Sequence, residues 1–287
     1  MIAPKFAHER LVDKAVHEKK LGELAKQRGG HLDALSELEE ITRAVAPLPI
    51  SYDVSRTQAP YFSEFTYTEL LGEGLYLQPQ SSEASARLAV MAMEQCSTPL
   101  VVPEPKDKYT LVQEEVSCKA VAFLPGSNLL REFVSQEALS RAMWEDDELV
   151  LKPHPLTTAA EVSALAAEFG YHRVLGSGVS GVQALKAAQR VYCLSTTELG
   201  LYAVSMGKPI KNLGNFWVEG QGAYASIYRL LWGHSTAEAK ERLSRVLGST
   251  LGGYIPKGST LRDVQDYFNN AMSLRENLKP LIPTRKK

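Results

Sequence analysis

The sequence predicts an α/β protein whose main domain is a doubly wound parallel sheet. Short apolar runs alternate with segments of helical period across residues 119–214, and glycines or prolines mark many of the junctions. Repeated strand–helix–strand units of this size place parallel strands side by side, with helices on both faces. The composition agrees, because 44% of the 287 residues are hydrophobic and 23% are charged, as in ordinary globular proteins.

The main domain contains five predicted strands and four predicted helices. The strands are KAVAFLPG (119–126), ELVLKPHP (148–155), HRVLG (172–176), RVYCLS (190–195) and KPIKNLG (208–214). The helices are NLLREFVSQEALSRAMW (128–144), TTAAEVSALAAEFG (157–170), GVQALKAAQ (181–189) and TELGLYAVSMG (197–207). Gly170 is the expected C-cap of the second helix, since glycine is the residue that helices most often end on.

The rest of the chain divides into three further regions. A helical hairpin is predicted first, followed by a small α/β domain, and two helices after the main domain fold back across both domains. The small domain has two predicted strands, GLYLQPQ (74–80) and PLVVPEP (99–105), around the helix SSEASARLAVMAMEQC (81–96). The predicted tail helices are STAEAKERLSRVLGSTL (235–251) and STLRDVQDYFNNAMSLRENL (259–278). The predicted regions are 1–46, 47–118, 119–234 and 235–287.

Charge and cysteine content exclude several classes of protein. The formal net charge is -1, so the molecule as a whole is not drawn to nucleic acid or acidic lipid. Cys96, Cys118 and Cys193 lack the spacing of a disulfide framework or a zinc site. No signal-peptide pattern opens the sequence, and no apolar run approaches about 18 residues. We therefore expect a cytoplasmic protein without a transmembrane segment.

The residues that follow the strands predict where a ligand binds. In an open parallel sheet, ligands bind in the crevice beyond the carboxyl ends of the strands. The segments at those ends are small, polar and rich in glycine, with one imidazole among them, which suits an anionic ligand. We call these segments the rim; they are 125–128, 153–155, 176–178, 195–198 and 214–215.

His154 stands at the end of a strand between Pro153 and Pro155. Each proline fixes its own φ and biases the preceding residue toward extended backbone, so the histidine is held with limited freedom. An imidazole at this position is able to donate a hydrogen bond to a phosphate or to a leaving oxyanion. The alternative is a structural histidine that completes a turn.

Three hydroxyl residues precede the helix that follows the fourth strand. Ser195, Thr196 and Thr197 lie where backbone N–H groups and the positive end of the helix dipole are available. This arrangement predicts a phosphate site. The alternative is plain N-capping, for which one hydroxyl is sufficient.

Two further sequence patterns match other kinds of binding site. GSGVSG (176–181) matches G-x-G-x-x-G with Glu198 some twenty residues on, which would make the chain a nicotinamide-dependent oxidoreductase. However, it follows a short, charged strand in the third unit of the sheet.

WEDDELV (144–150) has the acidic residues of a metal site, but it lies at the entry to the His154 strand, opposite the rim. A solvated turn is the expected reading of that segment.

Two segments in order resemble a known family. LVLKPHPLT (149–157) and VYCLSTTELGLYAVSMGKPIKNLG (191–214) resemble the C-terminal half of GT-B-fold glycosyltransferases, especially bacterial capsule-polysaccharide transferases of the Kdo-transferase type. The similarity covers residues 119–215. It implies two Rossmann-like (GT-B-like) domains, here with a reduced N-terminal domain preceded by the helical hairpin. Tyr202 departs from the pattern, since the family usually has glutamate there.

The resemblance also implies a metal-independent glycosyltransferase without a cofactor, in which a nucleotide-activated sugar, CMP- or UDP-linked, binds to the C-terminal domain. His154 would contact the donor phosphate, while Ser195, Thr196 and Thr197 would surround its oxygens. The predicted donor-binding residues are Gly126, Ser127, Lys152, His154, Pro155, Ser195, Thr196, Thr197 and Glu198.

Transfer with inversion needs a base that deprotonates the acceptor hydroxyl. Asp53 and Glu64 in the N-terminal half are the candidates, with His154 as the third catalytic residue. The acceptor is either a saccharide, as in polysaccharide biosynthesis, or a hydroxymethylated base, as in DNA modification. A non-catalytic protein that binds nucleotide sugars is the alternative from a different class.

Overall fold

The computed structural model describes residues 65–67, 82–94, 96, 98–102, 104–105, 115–126, 130, 134–155, 157–194, 197–214, 225–249 and 254–256, with scattered positions from 262 to 281. The hairpin predicted over 1–46 and the strand predicted over 74–80 lie outside these residues. The division of the chain into four regions stays a prediction.

Strands and helices alternate through the described residues. In chain order they are β1 (Phe65–Tyr67), α1 (Ser82–Glu94), β2 (Ala120–Phe123), α2 (Gln136–Glu145), β3 (Leu149–Lys152), α3 (Ala159–Phe169), a 3₁₀ helix (Tyr171–Arg173), α4 (Gly181–Ala187), β4 (Arg190–Cys193), α5 (Glu198–Ser205), β5 (Ile210–Asn212), α6 (Ala225–Leu231), α7 (Thr236–Gly248) and β6 (Tyr254–Pro256). Strands β1 and β6 form a separate antiparallel pair.

The main sheet is parallel, with β2 at its centre. Strands β3 and β4 pair with β2 on either side, and β5 pairs with β4. Val174 adds a single parallel bridge to Leu151, on the outer side of β3. If β2, β3, Val174, β4 and β5 are numbered 1 to 5 in chain order, their order across the sheet is 3-2-1-4-5. This is the order of a doubly wound fold. The predicted α/β fold with a parallel sheet is therefore confirmed, while the second Rossmann-like domain stays a prediction.

Helices cover both faces of this sheet, as the alternation of side chains in a strand requires. Val121 and Phe123 of β2 belong to one core, together with side chains from α1, α4, α5, α6 and α7. Ala120 and Ala122 belong to a second core with side chains from α2, against which Leu165 and Phe169 of α3 also pack. Among the described residues, helices thus cover both faces of the sheet, and the strand ends lie along its two other edges.

Helix α3 begins directly after the His154 turn and matches its prediction. The Thr158 hydroxyl accepts the Glu161 N–H at 3.3 Å, while the Glu161 carboxylate accepts the Thr158 N–H at 3.1 Å. This reciprocal capping box fixes the start of the helix. Gly170, with φ of 99°, ends it in the left-handed region that glycine adopts without strain, as predicted.

The strand predicted over 172–176 is wrong except at Val174. A 3₁₀ turn replaces its first residues, because hydrogen bonds of the Arg173 side chain hold this residue toward the end of α2. Its Nε donates to the Leu149 carbonyl at 3.0 Å, and its Nη2 donates to the carbonyls of Met143 and Asp146 at 2.9 and 2.6 Å. Arg173 therefore caps the end of α2, and only one residue is left to pair with β3.

The helix predicted over 128–144 is interrupted at Val134 and Ser135: Leu130 is helical and its carbonyl accepts the Val134 N–H at 3.1 Å, and a second helix, α2, follows. The Ser135 hydroxyl accepts the Ala138 N–H at 3.0 Å, so α2 starts at Gln136. This local side-chain bond competes with a continuous helix, as serine often does.

The predicted strand 99–105 is also wrong, since the described residues of this segment form no strand. Leu100 instead donates its N–H to the Ser244 carbonyl of α7 at 2.8 Å. A Cβ on Gly248 would lie 2.3 Å from the Thr98 carbonyl oxygen, so only glycine permits this approach. The segment is therefore held against α7 and does not join a sheet.

The helices at either end of the described chain meet on one face of the sheet. Helix α1 contacts α6 and α7, and α7 contacts α5. The first predicted tail helix thus packs back over the sheet as α7, and described positions from 262 to 277 in the second are helical. Within the described part of the chain, no helix has the length and apolar character needed to cross a bilayer.

Candidate functional site

The strands of the sheet end at one level. Lys152 of β3 and Cys193 of β4 lie in register with Phe123 of β2, and Asn212 of β5 lies in register with Cys193. The rim segments therefore leave the sheet along one edge. The strand order reverses between β2 and β4, which is the switch point where open α/β sheets bind ligands.

Six of the predicted site residues are described, and the structure places them all at this edge. They are Gly126, Lys152, His154, Pro155, Thr197 and Glu198. The other five lie outside the described residues, and the predicted roles of all eleven stay predictions. They are Asp53, Glu64, Ser127, Ser195 and Thr196.

His154 lies in a tight turn between β3 and α3. Its carbonyl accepts the Thr157 N–H at 2.9 Å, and its side chain is partly exposed. Pro153 on one side and Thr157 on the other are buried. The turn is thus anchored at both ends while the imidazole keeps access to the edge of the sheet.

Lys152, the last residue of β3, lies beneath this turn. Its side chain is only 3% exposed, and its Nζ donates to the Pro153 carbonyl at 2.6 Å and to the Ser177 carbonyl at 3.0 Å. Burial lowers the pKa of Lys152 to about 8. The described contacts of this predicted donor-binding residue are therefore with the backbone of two rim segments.

The first turn of α5, with its backbone N–H donors, also lies at this edge of the sheet. Thr197 is the N-cap, but its hydroxyl makes no capping hydrogen bond, so plain N-capping does not account for it. The Tyr228 hydroxyl of α6 donates to the Thr197 carbonyl. Gly200 permits this contact, because a Cβ there would lie 2.1 Å from the Tyr228 oxygen. Glu198, in the first turn, suits the positive end of the helix dipole.

The glycine loop 176–181 does not have the features of a dinucleotide site. It follows Val174 at the outer edge of the sheet, whereas a dinucleotide fingerprint occupies the first strand–helix turn. The positive-φ glycines of the described residues are Gly170, Gly207 and Gly233, so none lies in this loop. Ser180 caps α4 by accepting the Gln183 N–H at 3.0 Å. These observations disfavour the oxidoreductase alternative.

The acidic segment before β3 lies at the opposite, amino edge. The prediction of a solvated turn is wrong for Asp146, whose side chain is buried and accepts two hydrogen bonds of 2.6 Å from Arg190. Those bonds hold the pKa of Asp146 below its ordinary value. The Tyr192 hydroxyl also donates to Asp146 at 3.0 Å. Among the described residues, no group of three His, Cys, Asp or Glu side chains is placed to hold a metal ion.

A cavity of about 510 Å³ opens at the same amino edge. Lys119 and Glu148 line it and are paired with each other at 2.5 Å. Glu148 is also 3.1 Å from Arg190. The charges of Lys119 and Glu148 in this wall are therefore compensated within the protein.

Sequence reasoning missed one contributor to the rim, Tyr228, and one contact of a predicted rim residue, Ser177. Tyr228 lies in a helix distant in sequence from Thr197, and nothing in its local pattern indicates the contact. Ser177 contributes its backbone carbonyl, which no residue pattern reveals. Tyr202, the departure from the family pattern, is buried in the core at 1% exposure, so its packing required an uncharged side chain.

The comparisons with known proteins give a weak likeness. Two similar solved structures are spinosyn rhamnosyltransferase SpnG and the same enzyme complexed with spinosyn aglycone, each 14% identical to this chain. The TM-scores are 0.31 and 0.30, over 64% of this chain and 50% or 51% of the other. The chain thus spans about half the length of these structures, and a likeness at this level supports no argument about activity. No protein-family model and no curated protein matches the chain.

Proposed function

We propose that this protein is a glycosyltransferase that moves a sugar from a CMP- or UDP-linked donor to a hydroxyl acceptor. One observation is the main support. The two segments that resemble glycosyltransferases begin with β3 and β4, which flank β2 beside the switch point of the sheet. Motifs that are about forty residues apart in sequence therefore meet at one edge.

The spacing of the strands suits a phosphate between the two segments. Neighbouring strands lie about 4.8 Å apart, so the ends of β3 and β4 lie about 10 Å apart across β2. A side chain from the His154 turn and the N-terminal turn of α5 are able to reach one phosphate from opposite sides. The partly exposed imidazole and the N–H groups at the start of α5 supply hydrogen-bond donors.

The chemistry of transfer makes use of these donors. The acceptor oxygen forms a bond to the anomeric carbon, and the bond from that carbon to the donor phosphate breaks. The nucleotide leaves with the electron pair, and its added negative charge is stabilised by His154 and the α5 dipole without a metal or another cofactor. The acceptor proton passes to a carboxylate, for which Asp53 and Glu64 remain our candidates. The acceptor itself is a saccharide or a hydroxymethylated DNA base.

A thermal-shift screen tests the proposal. The protein is heated with CMP, UDP, GDP, ADP or NAD(H), and a ligand that binds the native state raises the melting temperature. We expect CMP or UDP to stabilise the wild type, and His154→Ala to lose that stabilisation. His172→Ala is the matched control, since it removes an exposed histidine that lines the amino-edge cavity.

Stabilisation by NAD(H) alone, unchanged in His154→Ala, would overturn the proposal in favour of the oxidoreductase. Binding of CMP or UDP without release of nucleotide from any sugar donor, with saccharide or DNA acceptors present, would identify a binding protein instead. A transferase would release nucleotide, and His154→Ala would lower that rate about 100-fold or more, as loss of one oxyanion donor does.

A further inference from the structure

We propose that Lys152 is a positioning residue that joins the His154 turn to the glycine loop 176–181, and that a phosphate at the rim binds more tightly while Lys152 is protonated. The identity of the phosphate as part of a nucleotide rests on the proposed function. The role of Lys152 rests on its own contacts.

One ammonium group holds two separate backbone segments together. The Pro153 carbonyl, 2.6 Å from Nζ, belongs to the residue before His154, and the Ser177 carbonyl, 3.0 Å from Nζ, lies in the middle of the Gly-Ser-Gly turn. These segments follow neighbouring members of the sheet, β3 and the Val174 bridge. Replacing Lys152 by an apolar side chain would leave both oxygens without this donor and would release the backbone beside His154.

The surroundings of Lys152 leave its positive charge uncompensated among the described residues. Strand β2 and its extension to Gly126 have no titratable side chain, nor does the loop 175–181. Helix α4 has only Lys186, near its far end. Among the described residues at this edge of the sheet, the titratable groups besides Lys152 are His154, Cys193, Glu198 and Tyr228, and the two described partners of Nζ are neutral carbonyls.

A buried cation of this kind favours an anion nearby. Burial lowers the pKa of Lys152 to about 8, so its charge is present at neutral pH and is lost in mildly alkaline solution. A phosphate at the rim stabilises the charged form and raises that pKa. Binding of the phosphate above pH 8 should therefore take up a proton, and the affinity should fall as the pH rises.

Calorimetric titration of the full chain with CMP, UDP and inorganic pyrophosphate tests this inference. Titrations between pH 7.5 and 9.5 lie above the range in which ordinary histidines and the phosphate of CMP titrate. Pyrophosphate and the uracil of UDP lose a proton of their own within this range, so the pH dependence of CMP binding decides the test and the other two are corrected for their own ionisation. We expect the wild-type affinity to fall about tenfold across this range, the change that one unit of coupled pKa shift gives. Repeating the titration at pH 8.5 in buffers of different ionisation enthalpy should reveal proton uptake, which a purely structural lysine would not cause.

Three variants separate the charge from the joining of the two segments. Lys152→Met should bind weakly at every pH without proton uptake, and Lys152→Gln, which keeps a donor but no charge, should also lose the pH dependence. Lys208→Met is the matched control. Lys208 also donates to two carbonyls, those of Lys186 and Ala188, and burial lowers its pKa, but it precedes β5 at the amino edge. Its replacement should leave the pH dependence intact.

The outcomes distinguish this inference from the proposed function. A wild-type affinity that does not change with pH, or the same pH dependence in Lys152→Gln, would overturn the role of Lys152 while leaving the nucleotide site in place. Binding of pyrophosphate with proton uptake but of no nucleotide would uphold Lys152 and reject the proposed donor. If neither nucleotide nor pyrophosphate binds at any pH, both proposals fail.

Discussion

The buried Asp146 at the amino edge of the main sheet and the buried Lys152 at the carboxyl edge have different kinds of partner. At the amino edge, Asp146 is paired with Arg190, and Glu148 is paired with both Arg190 and Lys119. At the carboxyl edge, Lys152 is buried with only carbonyls as its described partners. Compensated charges stabilise the fold but offer nothing to a ligand, whereas a buried cation held by neutral groups attracts an anion. The difference indicates that stability is concentrated at one edge and binding at the other.

The largest expected effect comes from breaking the amino edge. Arg190→Met leaves the buried Asp146 carboxylate without its two strongest hydrogen bonds, and we expect the free energy of unfolding to fall by about 3 kcal/mol. Chemical denaturation measures this loss. Lys119→Met is the control, because removing its exposed ion pair with Glu148 should change the free energy of unfolding far less. A large drop in nucleotide affinity in folded Arg190→Met would contradict the separation of the two edges.

A smaller effect is expected from pH at the carboxyl edge. The pKa of Lys152 is about 8 in the folded protein and about 10.5 in the unfolded chain, so the unfolded chain binds more protons between these values. Stability should therefore rise with pH through this window, and below pH 8 the contribution should be constant. Relative to Lys152→Met, we expect the free energy of unfolding of the wild type to increase by about 2 kcal/mol between pH 7.5 and 9.5.

Denaturant titrations at both pH values measure this change. The exposed Lys240 of α7 provides a control, since Lys240→Met should follow the wild-type curve at both pH values. Parallel curves for the wild type and Lys152→Met would show that Lys152 is not desolvated in solution.

The smallest expected effects come from removing the hydroxyl groups of two buried tyrosines. Tyr228→Phe removes the hydroxyl that donates to the Thr197 carbonyl, and Tyr192→Phe removes the one that donates to Asp146. Each should lower stability by about 1 kcal/mol. Only Tyr228→Phe should also weaken nucleotide binding, by a few-fold, because only Thr197 lies at the rim. Equal losses of affinity in calorimetric titrations of both variants would remove the distinction between the edges.

Local sequence patterns predicted the elements that depend on local chemistry. The Gly170 C-cap and the strand Leu149–Lys152 were both predicted because capping and apolar runs act within a few residues. The strand over 172–176 was wrong because Arg173 bonds to carbonyls from 24 to 30 residues away, which no window of sequence shows. Local residue preference was overridden there by tertiary contacts.

The sequence predicted the edge of the sheet at which these residues lie, but not the contacts that they make there. His154 and Thr197 were selected from the rule that ligands meet the ends of parallel strands, and the described structure places both at that edge. The contacts of Lys152 were not predictable, because one of them is with the Ser177 carbonyl, 25 residues away in the chain. A lysine at the end of an apolar strand was the signal available, and it indicated a ligand contact as readily as a bond to the backbone.

The close approach of α7 to the segment at 98–100 has a consequence for the order of folding during synthesis. Ser244 accepts the Leu100 N–H, Gly248 lies against Thr98, and Leu243 and Val246 fill the core on one face of the sheet. During synthesis, the strands of the main sheet, β2 to β5, emerge from the ribosome before α7 does. The part of that face which α7 covers stays open to water, and to chaperones, until residue 248 has left the exit tunnel.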